Sequence, residues 1–158
     1  MRRLLARYHI AAMLVALGQV SGALAVDGLF IVNQPWVRPA RAGQTTEVYM
    51  DLTSTAGATL VSATSNAAAT TLIRTPDKER RSPPTIVLPA GTLVALAPGK
   101  YRITLQQLAR TLKVGDRVAL TLTIEAADGL RQDIPVDAEV RLHSPIDDDV
   151  HAHKHGHT

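Results

Sequence analysis

A chain of 158 residues with 46% hydrophobic side chains is long enough for one domain with a buried core, which excludes disorder throughout. Aromatic residues make up only 3%, so the core must be aliphatic and a stacking platform for nucleobases is excluded. Setting aside Arg2, Arg3 and Arg7 leaves 14 of the 17 basic residues against 14 acidic ones, so the rest of the chain has no net field to draw it to nucleic acid or anionic lipid.

The first 25 residues read as a secretory leader. Three arginines form a positive start, the stretch from Ile10 to Leu17 is apolar, and Ala23-Leu24-Ala25 is a small-x-small cleavage site. Cleavage is expected after Ala25, which places the mature protein in the periplasm. The apolar run falls short of the roughly 20 residues that span a bilayer and is followed by Gln19, Ser21 and Gly22, so no stable membrane anchor is expected. The chain has no cysteine, which removes disulfides, thiolate ligands and cysteine redox chemistry.

Short strands are predicted at Leu29 to Asn33, over Glu47 to Thr53, and at Thr59 to Ser65, Thr70 to Arg74, Thr85 to Leu88, Gly91 to Ala95 and Tyr101 to Leu105. In the second of these Val48, Met50 and Leu52 alternate with Glu47, Tyr49, Asp51 and Thr53, which makes the latter the solvated face. Thr75 to Pro84, charged and proline-rich, reads as an exposed loop. Leu105, Leu108 and Leu112 are spaced like one side of a helical turn, ended by Gly115.

The clearest alternation comes last. Val118, Leu120, Leu122 and Ile124 face one way, as do Ile134, Val136, Ala138, Val140 and Leu142, and Asp128-Gly129 between them is a hairpin signal. Strands over residues 117–125 and 132–142 should therefore pair antiparallel, with the outward Pro135 at an edge or a non-bonded position. His143 falls on the polar register of that last strand. So many short strands in about 115 residues argue for an antiparallel β-sandwich over residues 26–143. Residues 144–158 carry an acidic triplet and four histidines with nothing to bury, the composition of a disordered tail.

Three stretches together resemble the periplasmic copper chaperones of the PCuAC type: "VNQPWVRPA", "YMDLTSTAGATLVSATSNAA" and "LPAGTLVALAPGKYRITLQQLARTLKVGDRVALTLTIEAADGLRQDIPV". The resemblance spans Val32 to Val140 and implies a cupredoxin-like β-sandwich, a class that the strand pattern reaches by itself. It also implies a copper site of two histidines and two methionines, but this chain departs from that pattern. Arg102 and Thr104 occupy the positions of the His-x-Met pair, the first histidine falls on Arg74 or, with a one-residue slip, on Ile73, and no methionine lies beyond Met50. A guanidinium is cationic and only donates, so the usual core site cannot form. If Arg74 and Arg102 converge, the place suits an anion better than copper; otherwise both arginines lie solvated on a loop edge.

The tail carries the remaining metal chemistry. His151, His153, His155 and His157 alternate within eight residues and can surround one ion, while Asp147, Asp148 and Asp149 lie just upstream. Without methionine the donors favour Cu(II), with zinc possible, over Cu(I). Ordinary imidazole titrates near pH 6.5, so metal should be released as pH falls towards about 5. The resulting expectation is a copper-binding, copper chaperone-like accessory protein, whose partner, by the resemblance, is a copper acceptor such as a cytochrome oxidase assembly component. The alternative is a metal-independent protein- or anion-binding module on the same fold. An enzyme is not expected, because no nucleophile with a neighbouring base and no paired carboxylates at a recognisable spacing occur.

Overall fold

The computed structural model describes residues 28–76 and 83–145; the expected leader, the centre of the charged loop and the four tail histidines lie outside the described residues. Nine strands follow in order: β1 (Phe30–Val37), β2 (Thr46–Ser54), β3 (Ala58–Thr64), β4 (Ala68–Arg74), β5 (Ile86–Leu88), β6 (Leu93–Leu96), β7 (Arg102–Leu108), β8 (Arg117–Ala126) and β9 (Arg131–Val140). They form one sheet in the order β4-β7-β2-β1-β9-β8-β3-β5, and β6 also pairs with β2. β3 and β4 lie towards opposite ends of that order but are joined by the turn at residues 65–67, so the sheet curls back on itself around a single interior.

The interior is the aliphatic one that the composition demands. Val48, Met50 and Leu52 of β2, Ile103 and Leu105 of β7, Leu60 of β3 and Leu120 and Leu122 of β8 belong to one buried cluster. Each fully buried Leu, Ile or Val contributes about 1.5–3 kcal/mol. The expected hairpin is present. β8 and β9 pair antiparallel from Arg117 opposite Glu139 to Glu125 opposite Arg131, and Gly129 takes the φ of +83° that the turn requires. Asp128 Oδ1 accepts the Leu130 amide at 2.9 Å and closes that turn. Pro135 lies opposite Thr121, in the part of β9 that has no β1 neighbour, because β1 pairs only with Glu139 and Val140.

That β1–β9 ladder is parallel, unlike every other named ladder among the described residues. The two strands come from opposite ends of the domain and share no hairpin, so nothing in the connection forces them antiparallel. β9 also stops at Val140 rather than at residue 142. The Arg141 amide instead donates to the Val37 carbonyl at 2.9 Å, leaving Leu142 63% exposed. His143, expected on the strand's polar register, is an exposed residue beyond its end.

The helical turn expected over Leu105 to Leu112 is not formed; β7 runs through it to Leu108. Gln107 adopts a left-handed φ of +55°, which breaks the two-residue alternation and turns both Leu105 and Leu108 inward. Leu112 reaches the core separately, through a bridge to Ala40. An interruption in a strand thus produces the three- and four-residue spacing that otherwise marks a helix.

Candidate functional site

The outward face of β2 is not the solvated surface that its alternation suggests. Tyr49, placed there with Glu47 and Asp51, is only 1% exposed. The β1–β2 register sets Trp36 opposite Tyr49, and the two rings pack with centroids 4.8 Å apart at 44°. The Arg38 guanidinium lies over the other ring, 5.5 Å from the Tyr49 centroid. Arg38 is fixed by its backbone: its amide donates to the Glu47 carbonyl at 3.2 Å, and its own carbonyl accepts the Thr46 hydroxyl at 2.7 Å.

From Tyr49 a polar chain runs across β2 to β7. The phenol donates to Glu47 Oε2, and Glu47 Oε1 accepts Arg102 Nε in an ion pair of 2.8 Å. Burial, then the hydrogen bond to Glu47 and the charge of that carboxylate, push the Tyr49 phenol up to about 12, against the opposing pull of Arg38 and Arg102. The phenol therefore remains a donor. Arg102 also donates from Nη1 to the Lys100 carbonyl at 3.3 Å.

Two recesses meet at Tyr49 and Pro98. One, of about 300 Å³, is lined by Arg38, Glu47, Tyr49, Pro76, Pro98 and Arg102, together with Gly99. Its neighbour, of about 180 Å³, is lined among others by Trp36, Met50, Asp51, Leu96 and Ser144.

The positions that the resemblance assigns to copper ligands fall beside this cluster. Arg74 and Arg102 are direct cross-strand partners on β4 and β7, so they do converge, and from strands rather than a loop edge. Arg74 is exposed and Arg102 half-buried. Thr104 is 6% exposed and sits between Leu72 of β4 and Glu47 of β2. Ile73, the alternative histidine position, is a core residue opposite Ile103. This donor set does not fit a copper ion: the guanidinium at 102 is cationic and held by Glu47, and Met50 belongs to the core. Among the described residues no group of three or more His, Cys, Asp or Glu is placed to hold a metal.

Trp36, Arg38, Glu47 and Tyr49 are the site residues that sequence reasoning passed over. Their signal is two short alternations, Trp36-Val37-Arg38 and Glu47-Val48-Tyr49, each with a buried valine in the middle. Only the register of β1 on β2 makes them one cluster.

With the geometry in view, the comparisons with known proteins decide the family. The sequence model of the LpqE-like family matches residues 31–136. The chain belongs to that family. That family's description is "Putative lipoprotein LpqE-like". No curated protein matches the chain. Among solved structures, the apo PCuAC domain from PmoF1 superposes with a TM-score of 0.63 at 22% identity, covering 72% of this chain and 94% of that one. The copper-bound PCuAC domain from PmoF2 gives 0.60 at 23% identity, covering 72% and 93%. The LpqE-like chain therefore has the PCuAC-type fold.

Proposed function

We propose that this LpqE-like protein is an extracytoplasmic copper-handling accessory protein whose metal is held by its imidazole-rich C-terminal segment rather than by the β-domain. Copper enters this reading through the fold, since one of the similar domains is described as copper-bound. The observation that carries it is the Arg102–Glu47 ion pair: where the resemblance asks for an imidazole, this chain has a paired guanidinium. The donors left are His151, His153, His155 and His157, which suit Cu(II), or zinc, better than Cu(I). The β-domain is then a scaffold, the activity is binding and transfer rather than catalysis, and the partner is a copper-accepting protein. The leader pattern with cleavage after Ala25 supports a periplasmic site of action.

Calorimetric titration with Cu(II) at pH 7.5 and at pH 5 tests the reading. The intact chain should bind copper at the higher pH and lose most of it at the lower. Replacing His151, His153, His155 and His157 together with alanine should abolish that binding. Equal copper binding by this variant and the parent would overturn the reading.

A further inference from the structure

The recess between β2, β7 and the turn at Pro98 holds more positive charge than its ion pair uses. Among the described residues Glu47 is the one acidic residue in its lining, and both of its oxygens are engaged, one by Arg102 and one by the Tyr49 phenol. Its single charge balances Arg102. Arg38 lines the same recess and Arg74 stands opposite Arg102, so the described surroundings remain net positive. Asp51, the nearest other carboxylate on β2, lines the neighbouring recess beyond Tyr49 instead.

We propose that this recess binds a carboxylate, gripped between Arg38 and Arg102. Guanidinium groups pair with carboxylates through two parallel N–H donors, and here the Arg102 side chain is held in advance while that of Arg38 lies over the Tyr49 ring. Arg38 is pinned by its backbone on both sides and rests on the Tyr49 ring. Arg102 is anchored through Nε to Glu47 and through Nη1 to the Lys100 carbonyl. Pro76, Pro98 and the buried Tyr49 give the recess walls that lose little freedom when a ligand enters. Its volume of about 300 Å³ suits a small molecule with two or three carboxyl groups.

The same chemistry has a second source within this chain. Ser144 lines the adjoining recess, and Asp147, Asp148 and Asp149 follow three to five residues later.

The test titrates the intact, metal-depleted chain with citrate at constant ionic strength, read by calorimetry and by the emission of Trp36, the one tryptophan in the sequence. Saturable binding is expected. Arg38→Gln, at an exposed position, should weaken it about tenfold, the effect of one charge-assisted hydrogen bond, whereas Arg110→Gln, in the connection from β7 to β8 where it pairs with Asp116, should leave it unchanged. Tighter citrate binding by the Asp147→Asn, Asp148→Asn, Asp149→Asn triple variant would make the chain's own aspartates the resident carboxylates. Unchanged binding by that variant would assign the recess to a free carboxylate. Absence of saturable binding, or equal affinity in Arg38→Gln, would overturn the proposal. The variant lacking the four tail histidines should bind citrate like the parent, which keeps this outcome separate from that of the copper reading.

Discussion

Arg74 and Arg102 face each other directly across the β4–β7 ladder, two like charges at adjacent sheet positions, and Glu47 on the far side of β7 holds one of them at 2.8 Å. Like charges placed opposite each other cost a few tenths to about 1 kcal/mol, so the carboxylate stabilises a pairing that would otherwise work against the sheet.

Glu47→Gln should therefore lower stability by about 1 kcal/mol, no more, because both partners are about one-third exposed and solvent screens the pair. Adding Arg74→Gln should recover part of the loss. Urea unfolding in low and high salt checks this: the deficit of Glu47→Gln should shrink as salt screens the two arginines.

Tyr49 should titrate late. An ordinary phenol ionises near 10, whereas this one is pushed up to about 12 by burial and by Glu47. The protonated phenol is the form that the fold favours, so its contribution to stability is intact below pH 10 and is lost as pH rises from 10 through 12. Difference absorbance between the parent and Tyr49→Phe should show the missing phenolate step at the upper end of that window. Stability measured at pH 9 and again near 12 should fall more in the parent than in the variant.

Leu52 and Leu60 are fully buried on β2 and β3. Truncating either to alanine leaves a cavity in close-packed aliphatic surroundings and should cost about 2–5 kcal/mol. Thermal unfolding should show a large drop in midpoint for both, while Leu93→Ala, at a residue 55% exposed, should change it little.

Gln107 tests the interruption in β7. A left-handed backbone costs a non-glycine residue about 1–2 kcal/mol, and glycine there would relieve this but lose about 0.5–1 kcal/mol through its freedom in the unfolded chain. Gln107→Gly should consequently be neutral to slightly stabilising. Gln107→Val, β-branched at φ +55°, should be destabilising, and denaturant midpoints for the pair separate these outcomes.

The strands were legible where burial follows an unbroken period of two. Val118 to Ile124 and Val136 to Val140 alternate without exception, and the structure buries those residues as expected. The period misled at Gln107, where one left-handed residue mimics helical spacing, because a sequence records the interval between leucines and not the backbone angle that produces it. It misled again at Tyr49. A tyrosine between Glu47 and Asp51 reads as part of a wet face, and Trp36, brought across from β1, covers it together with Arg38. The convergence of Arg74 with Arg102 came from the resemblance alone. The partners that decide what those arginines do, Glu47 and Arg38, depend on a register among three strands that no local pattern encodes.

The two-residue seam between β1 and β9 has a kinetic consequence. It joins Trp36 to Glu139, 103 positions later in the chain, and contacts so distant are slow to form because the intervening loop must close first. A polypeptide emerging N-terminal end first would keep its β1 edge unsatisfied until the final strand arrived. Because Trp36 lies at that junction, its fluorescence should mark the last event of refolding, after the β8–β9 hairpin has already assembled.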